Sequence, residues 1–226
     1  STYVYDLGIQ RAQYSYSSAI GLLNTDWGDY GHICHPWFSV PGILYGAAFA
    51  WNADNVPFDE INQAISLFEY GDRDGAFMKA FVHLTDHEIF PWFNAVRWIE
   101  ADDPEKRREQ LREIDPAQVP AANAAIDAAL DELALAALRM EPDKRPILRA
   151  LEISATGARL FNDIVCWIFA VQEGRELPHR DGWELAAALE NWYAAYLTEW
   201  RAVSKESTLR RTQQLICRYA DTLRLN

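Results

Sequence analysis

From Pro57 to the end of the chain, apolar residues return every three or four positions, and the runs are separated by proline or glycine. That period belongs to amphipathic helices burying one face, and nothing else in the sequence constrains the fold as strongly. "PFDEINQAISLFEYG" has Pro57 ahead of an acidic first turn and Gly71 as a stop, with Phe58, Ile61, Ile65 and Phe68 on one face. Helices are predicted next over 74–86 and 90–100, then a short charged one opening at Pro104. "VPAANAAIDAALDELALAALRM" spaces Ile126, Leu130, Leu133 and Ala137 along one side before "EPDKRP" breaks the chain. A long helix ending near Gly174 carries Leu148, Leu151, Ala155, Ala158, Phe161, Val165 and Ile168. The next, from about Asp181, carries Leu185, Leu189, Trp192, Tyr196 and Trp200, and the last carries Leu209, Ile216, Tyr219 and Leu223. Long amphipathic helices joined by short breaks predict a mainly α chain, an antiparallel bundle over 57–226.

The first 56 residues have another character, with short apolar runs punctuated by glycine and aromatics. "IGLLNTDWGD" (20–29) reads as a buried strand ending in a polar loop. "PGILYGAAFAWN" (41–52) reads as a turn into a second short buried run, whose Gly46, Ala47, Ala48 and Ala50 allow close packing. A helix competes for this second run, because alanine is a poor strand former.

With half of 226 residues apolar, the chain can bury a substantial core. No apolar run approaches the ~20 residues that span a bilayer. A net charge of −12 argues against phosphate backbones as partners, which need a clustered positive field. The Lys and Arg between Arg201 and Arg224 read as the solvated face of a helix. Cys34, Cys166 and Cys217 are an odd number without CxxC spacing and read as reduced, which suits a cytoplasmic protein. No targeting segment is legible, and the start at Ser1 reads as a boundary or a cleavage point.

Several residue clusters invite a chemical reading. His83 and His87 stand four apart, as on one helix face, but "HLTDHE" lacks the order of HExxH and offers no third ligand. His32, Cys34 and His35 have no matching second pair, so no metal is expected at either place. Asp59-Glu60 fits the acidic first turn of a helix, and Asp131-Glu132 the polar side of another. Trp192 and Trp200 fit an apolar stripe. Trp27 and Trp51 differ, each closing a short apolar run beside a polar residue, and a ring face beside a carboxylate or amide suits a sugar. Tryptophans at strand ends also cover core edges, and the pattern alone leaves both readings open.

"GLLNTDWGDYGH…PGILYGAAFAWN" resembles the last two strands of the (β/α)8 barrel of bacterial β-N-acetylhexosaminidases, glycoside hydrolase family 20. The likeness is fairly specific over residues 20 to 52. It is looser in "YLTEWRAVSKESTLRR…YADTLR", which is similar to the closing helices of some of these enzymes. The seventh strand of the family ends in aromatic-x-Asp, here Trp27-Gly28-Asp29. The eighth carries small residues and ends in tryptophan, here Trp51 followed by Asn52. The resemblance implies that Asp29 binds sugar hydroxyls in the −1 subsite, that Trp27 helps enclose the acetamido group and that Trp51 forms the floor under the ring. Trp27, Asp29, Trp51 and Asn52 are thus the implied substrate-binding set. A tryptophan replaces the family's tyrosine at position 27, and Asn52-Ala53-Asp54 replaces Gly-Glu.

The family's mechanism is substrate-assisted. The 2-acetamido carbonyl attacks C1, an Asp orients it, and the adjacent Glu is the general acid. No such Asp-Glu pair in its strand context occurs here, so no catalytic residue and no cofactor is assigned. The resemblance implies the C-terminal portion of such an enzyme: residues 1–56 as the last one or two β/α units of an incomplete barrel, and 57–226 as an α-helical domain. The implied partners are an N-acetylhexosamine-bearing glycan and the remainder of the barrel, and the isolated chain is expected to be inactive. The first ~50 residues, lacking strands to pair with, are expected to refold locally, pair with another copy or stay poorly ordered. The competing reading is a non-catalytic helical interaction or carbohydrate-binding module.

Overall fold

A computed structural model of the chain describes residues 33–51, 57–174, 180–206 and 209–225, the Thr85 side chain aside. Among these the protein is mainly helical and contains no strand. The helices are α1 (Val40–Trp51), α2 (Phe58–Phe68), α3 (Ala76–Asp86), α4 (Trp92–Glu100) and α5 (Pro104–Glu109), then α6 (Val119–Ala137), α7 (Pro146–Glu173), α8 (Gly182–Val203) and α9 (Leu209–Leu225). Short 3-10 turns at Pro36–Ser39 and Pro116–Gln118 lead into α1 and α6.

The helix starts and stops expected from residue 57 onward fall close to those observed, because local chemistry sets them. Gly71, Gly75 and Gly174 adopt positive φ, where glycine lacks the steric cost that Cβ imposes on other residues. Asp181 caps α8 in a reciprocal box: its carboxylate accepts from the Glu184 amide at 2.8 Å, and the Glu184 carboxylate accepts from the Asp181 amide at 3.1 Å. Asp181→Ala is expected to cost about 1 kcal/mol, read as a fall in Tm of a few degrees. Between α2 and α3, the buried Asp72 carboxylate accepts from the amides of Asp74 at 3.1 Å and Phe77 at 2.7 Å, taking up otherwise orphaned donors.

Helices adjacent in sequence pack as neighbours, with α6, α7, α8 and α9 in succession and α3 seated on α6. The 28-residue α7, about 42 Å long, runs through two apolar clusters. Its N-terminal half, with Ile147, Leu151 and Ala155, packs with Phe77, Met78, Ile126 and Leu133. Its C-terminal half, with Leu160, Phe161, Ile164, Val165 and Ile168, packs with Val96, Leu185, Leu189, Ile216 and Tyr219. Phe161 lies edge-on to Trp92, Trp192 and Tyr219 with centroids 5.5–6.3 Å apart, a geometry that suits ring quadrupoles.

Two expectations are corrected. Residues 41–51, read first as the eighth barrel strand, are helical, so the competing reading is the one observed. Alanine favours a helix, and a helix satisfies its backbone polar groups without a neighbouring strand. The candidate strand at 20–29 lies outside the described residues. Of the four residues placed on one face of α2, Ile65 is buried and Ile61 partly so; Phe58 is exposed on one side while its ring meets Tyr45 edge-on at 5.8 Å, and Phe68 is exposed while Ser66 is buried. The Ser66 hydroxyl accepts from the Met78 amide at 3.3 Å and its carbonyl from the Asp72 amide at 2.8 Å, which turns the face by one position. No helix among the described residues is long and apolar enough to cross a membrane.

Candidate functional site

Of the four residues implied to bind substrate, Trp27, Asp29 and Asn52 lie outside the described residues. Trp51 is the last residue of α1 and is 93% exposed, its indole standing clear of the bundle. Helix α1 has no charged residue, and its exposed positions Ile43, Ala47, Ala50 and Trp51 form one apolar face.

The histidine and cysteine clusters have ordinary structural partners. His35 precedes the turn Pro36–Ser39, and its Nδ1 accepts from the Trp37 amide at 3.2 Å. Burial lowers its pKa, favouring the neutral ring that can accept that bond. His32 is outside the described residues. The His83 and His87 rings lie nearly parallel with centroids 5.8 Å apart. Among the described residues no group of three or more His, Cys, Asp or Glu is placed to hold a metal. Asp59 and Glu60 occupy the first turn of α2, and Glu132 pairs with Lys79 at 2.8 Å. No disulfide joins Cys34, Cys166 or Cys217. The Cys166 thiol points at the Pro116 carbonyl, 3.8 Å away, and burial, with Asp163 nearby, pushes its pKa up to about 11. Both influences disfavour the thiolate, the nucleophilic form, at neutral pH.

Two hollows open on the surface of the bundle. An open groove of about 450 Å³ lies beside Glu100, Gln213, Gln214, Cys217 and Arg218 and is crossed by the Arg211–Glu100 ion pair at 3.3 Å. It has no aromatic wall on which a sugar face could stack. A hollow of about 20 Å³ lies between His35, Ser154, Tyr196, Glu199 and Trp200, with room for about one water. Trp192, Tyr196 and Trp200 stack along α8 at 5.5 and 5.8 Å, and the Trp192 and Trp200 indoles donate to the Ile153 and Lys205 carbonyls. They pack α8 in place, as their stripe implied.

The best-built polar centre is one that the helical pattern hides. Asn162, fully buried on α7, accepts through Oδ1 from the amides of Ile89 at 2.8 Å and Phe90 at 3.3 Å. Its Nδ2 donates to the His87 carbonyl at 2.9 Å and to Asn123 Oδ1 at 3.0 Å. Asn123 in turn donates to Asp163 Oδ1 at 2.7 Å, and Arg180 lies 3.6 Å from the other Asp163 oxygen. Burial raises the Asp163 pKa against the opposing pull of Arg180 and Asn123. Glu88, raised likewise by burial, accepts from the Trp92 amide at 3.2 Å and supports the start of α4. Every group of this network bonds backbone or a neighbouring helix, so it fixes the α3–α4 turn onto α6 and α7. A lone asparagine after Phe161 in an apolar stripe is the signal that could have found it.

No protein-family model, curated protein or solved structure matches this chain.

Proposed function

We propose that this chain is the C-terminal portion of an exo-acting β-N-acetylhexosaminidase of glycoside hydrolase family 20, with residues 20–52 supplying part of the −1 sugar subsite. The observation carrying this reading is the pair of runs ending in Trp27-Gly28-Asp29 and in Trp51-Asn52. The exposed Trp51 ring supports it, since an indole face left open to solvent is free to lie under a sugar. The uncharged outer face of α1 supports it too, being the kind of surface that another part of a protein covers. In the intact enzyme Asp29 accepts from sugar hydroxyls, Trp27 encloses the acetamido group, and the helices from residue 57 form an accessory domain. The carboxylates that orient the acetamido group and protonate the leaving oxygen come from the missing part of the barrel.

The test uses 4-nitrophenyl N-acetyl-β-D-glucosaminide. The 226-residue chain is expected to give no turnover, whereas a protein extended by the coding sequence directly upstream turns it over. In that longer protein Asp29→Ala is expected to lower kcat/KM by roughly 100-fold or more, as lost hydrogen bonds to a reacting sugar do. Turnover by the isolated chain would sink the proposal. An upstream sequence with no barrel and no Asp-Glu pair would leave the helical interaction module.

A further inference from the structure

Helix α6 carries a second apolar stripe, on the side away from the core. Ala121, Ala124, Ala128, Asp131, Leu135 and Leu138 (the last at its C-cap) are all exposed, and they alternate three and four residues apart. That is the spacing of the seam of a coiled coil. Leu135 and Leu138 are 58% and 78% exposed, whereas Ile126, Leu133 and Ala136 on the other side are packed in the core. The side of the helix expected to be polar is therefore apolar except for Asp131.

We propose that this face joins two copies of the chain, α6 against α6, antiparallel about a two-fold axis midway between Ala128 and Asp131. The occupant follows from the order of residues, because the stripe is its own complement. Turned about that axis, Ala121 faces the partner's Leu138, Ala124 faces the partner's Leu135, and Ala128 faces the partner's Asp131. Each leucine meets an alanine, so large side chains fill the space left by small ones at both ends. A two-fold contact requires one patch to match itself in this way, whereas a parallel pairing sets leucine on leucine at one end and alanine on alanine at the other.

The flanks permit the same pairing. Antiparallel register sets Gln118 near the partner's Arg139, Ala125 near the partner's Glu132, and Asp127 near the partner's Ala134. Glu132 and Asp127 are already ion-paired within the chain, to Lys79 at 2.8 Å and Arg159 at 3.3 Å. The adverse element is Asp131, which approaches its own copy across the axis. A seam about 26 Å long buries less than a standard interface, so the dimer is weak and forms only at high protein concentration.

Sedimentation equilibrium of the chain from about 0.01 to 1 mM tests this. The chain is expected to pass from monomer to dimer across that range. Asp131→Ala removes the like-charge contact and tightens association by roughly tenfold. Leu135→Glu combined with Leu138→Glu abolishes it while leaving Tm unchanged, because both side chains face solvent. The proposal is overturned if wild type and Asp131→Ala both stay monomeric at the highest concentration. It is equally overturned if a dimer survives the double glutamate substitution, which would place the contact elsewhere, for instance on the outer face of α1.

Discussion

Asn162→Leu should unfold the protein more readily than loss of any single surface ion pair, by about 3–5 kcal/mol, an order set by the groups it strands. The substitution leaves the Ile89 and Phe90 amides and the His87 carbonyl without the partner they have in the wild type. Each buried, unmade hydrogen bond costs about 1–3 kcal/mol, and the three lie together where relaxation of one disturbs the next. Leucine adds apolar contact but cannot offset three such losses. Asn162→Asp separates the possible causes. It keeps an acceptor for the two amides but turns an oxygen toward the His87 carbonyl and Asn123 Oδ1, both acceptors. It should therefore also destabilise strongly at neutral pH. By comparison, Asn123→Ala removes only the outer link and should cost roughly 1 kcal/mol. Chemical denaturation of the three variants gives these values, and a double-mutant cycle of Asn123 and Asn162 gives their coupling. An Asn162→Leu protein within ~1 kcal/mol of wild type, well short of the stranded groups' cost, would show that the α3–α4 turn is not held by this node.

That node is not legible in the sequence, whereas most of the helices are. The helices from residue 57 onward were legible because period and punctuation act locally: Gly71 and Gly174 stop helices by their φ, and Asp181 starts one by its carboxylate. Asn162 finds its partners 39 to 75 residues away, and no local pattern encodes such a pairing. Phe58 and Phe68 misled for a related reason. Their spacing marks a face, but the buried Ser66 hydroxyl and the packing of α3 decide how far that face turns inward. Helix α1 is the opposite case. Its residues are apolar all round and carry no period, so strand and helix were equally written, and the backbone's need for partners selected the helix. Of the candidate sugar site, only Trp51 lies among the described residues, at the exposed end of that helix.

Gly182→Ala is the second substitution expected to be costly, and its cause is steric. Gly182 opens α8 with its Cα against the carbonyl oxygen of Leu223, near the end of α9, so an added Cβ would collide with backbone. The Leu223 carbonyl is among the last four of its helix, which have no partner within it. Glycine lets the positive start of α8 approach that negative end closely. A backbone oxygen cannot swing aside as a side chain does, so the last turn of α9 must move as a unit. That turn carries the buried Leu223 and continues from the turn of Tyr219, whose hydroxyl donates to the Ala95 carbonyl at 2.7 Å. Moving it disturbs the α4–α8–α9 packing and should cost about 2–3 kcal/mol, a fall in Tm on the order of 5–10 °C. Helix propensity works the other way, since alanine is favoured over glycine by at most ~1 kcal/mol, and the collision outweighs it. Gly174→Ala is the control. Its φ of 62° strains any L-residue, but nothing lies within 4 Å of an added Cβ, so only the backbone strain of about 1 kcal/mol applies. Thermal melts should therefore rank Gly182→Ala well below Gly174→Ala and wild type. If Gly182→Ala melts at or above the wild-type temperature, α8 and α9 do not meet as described.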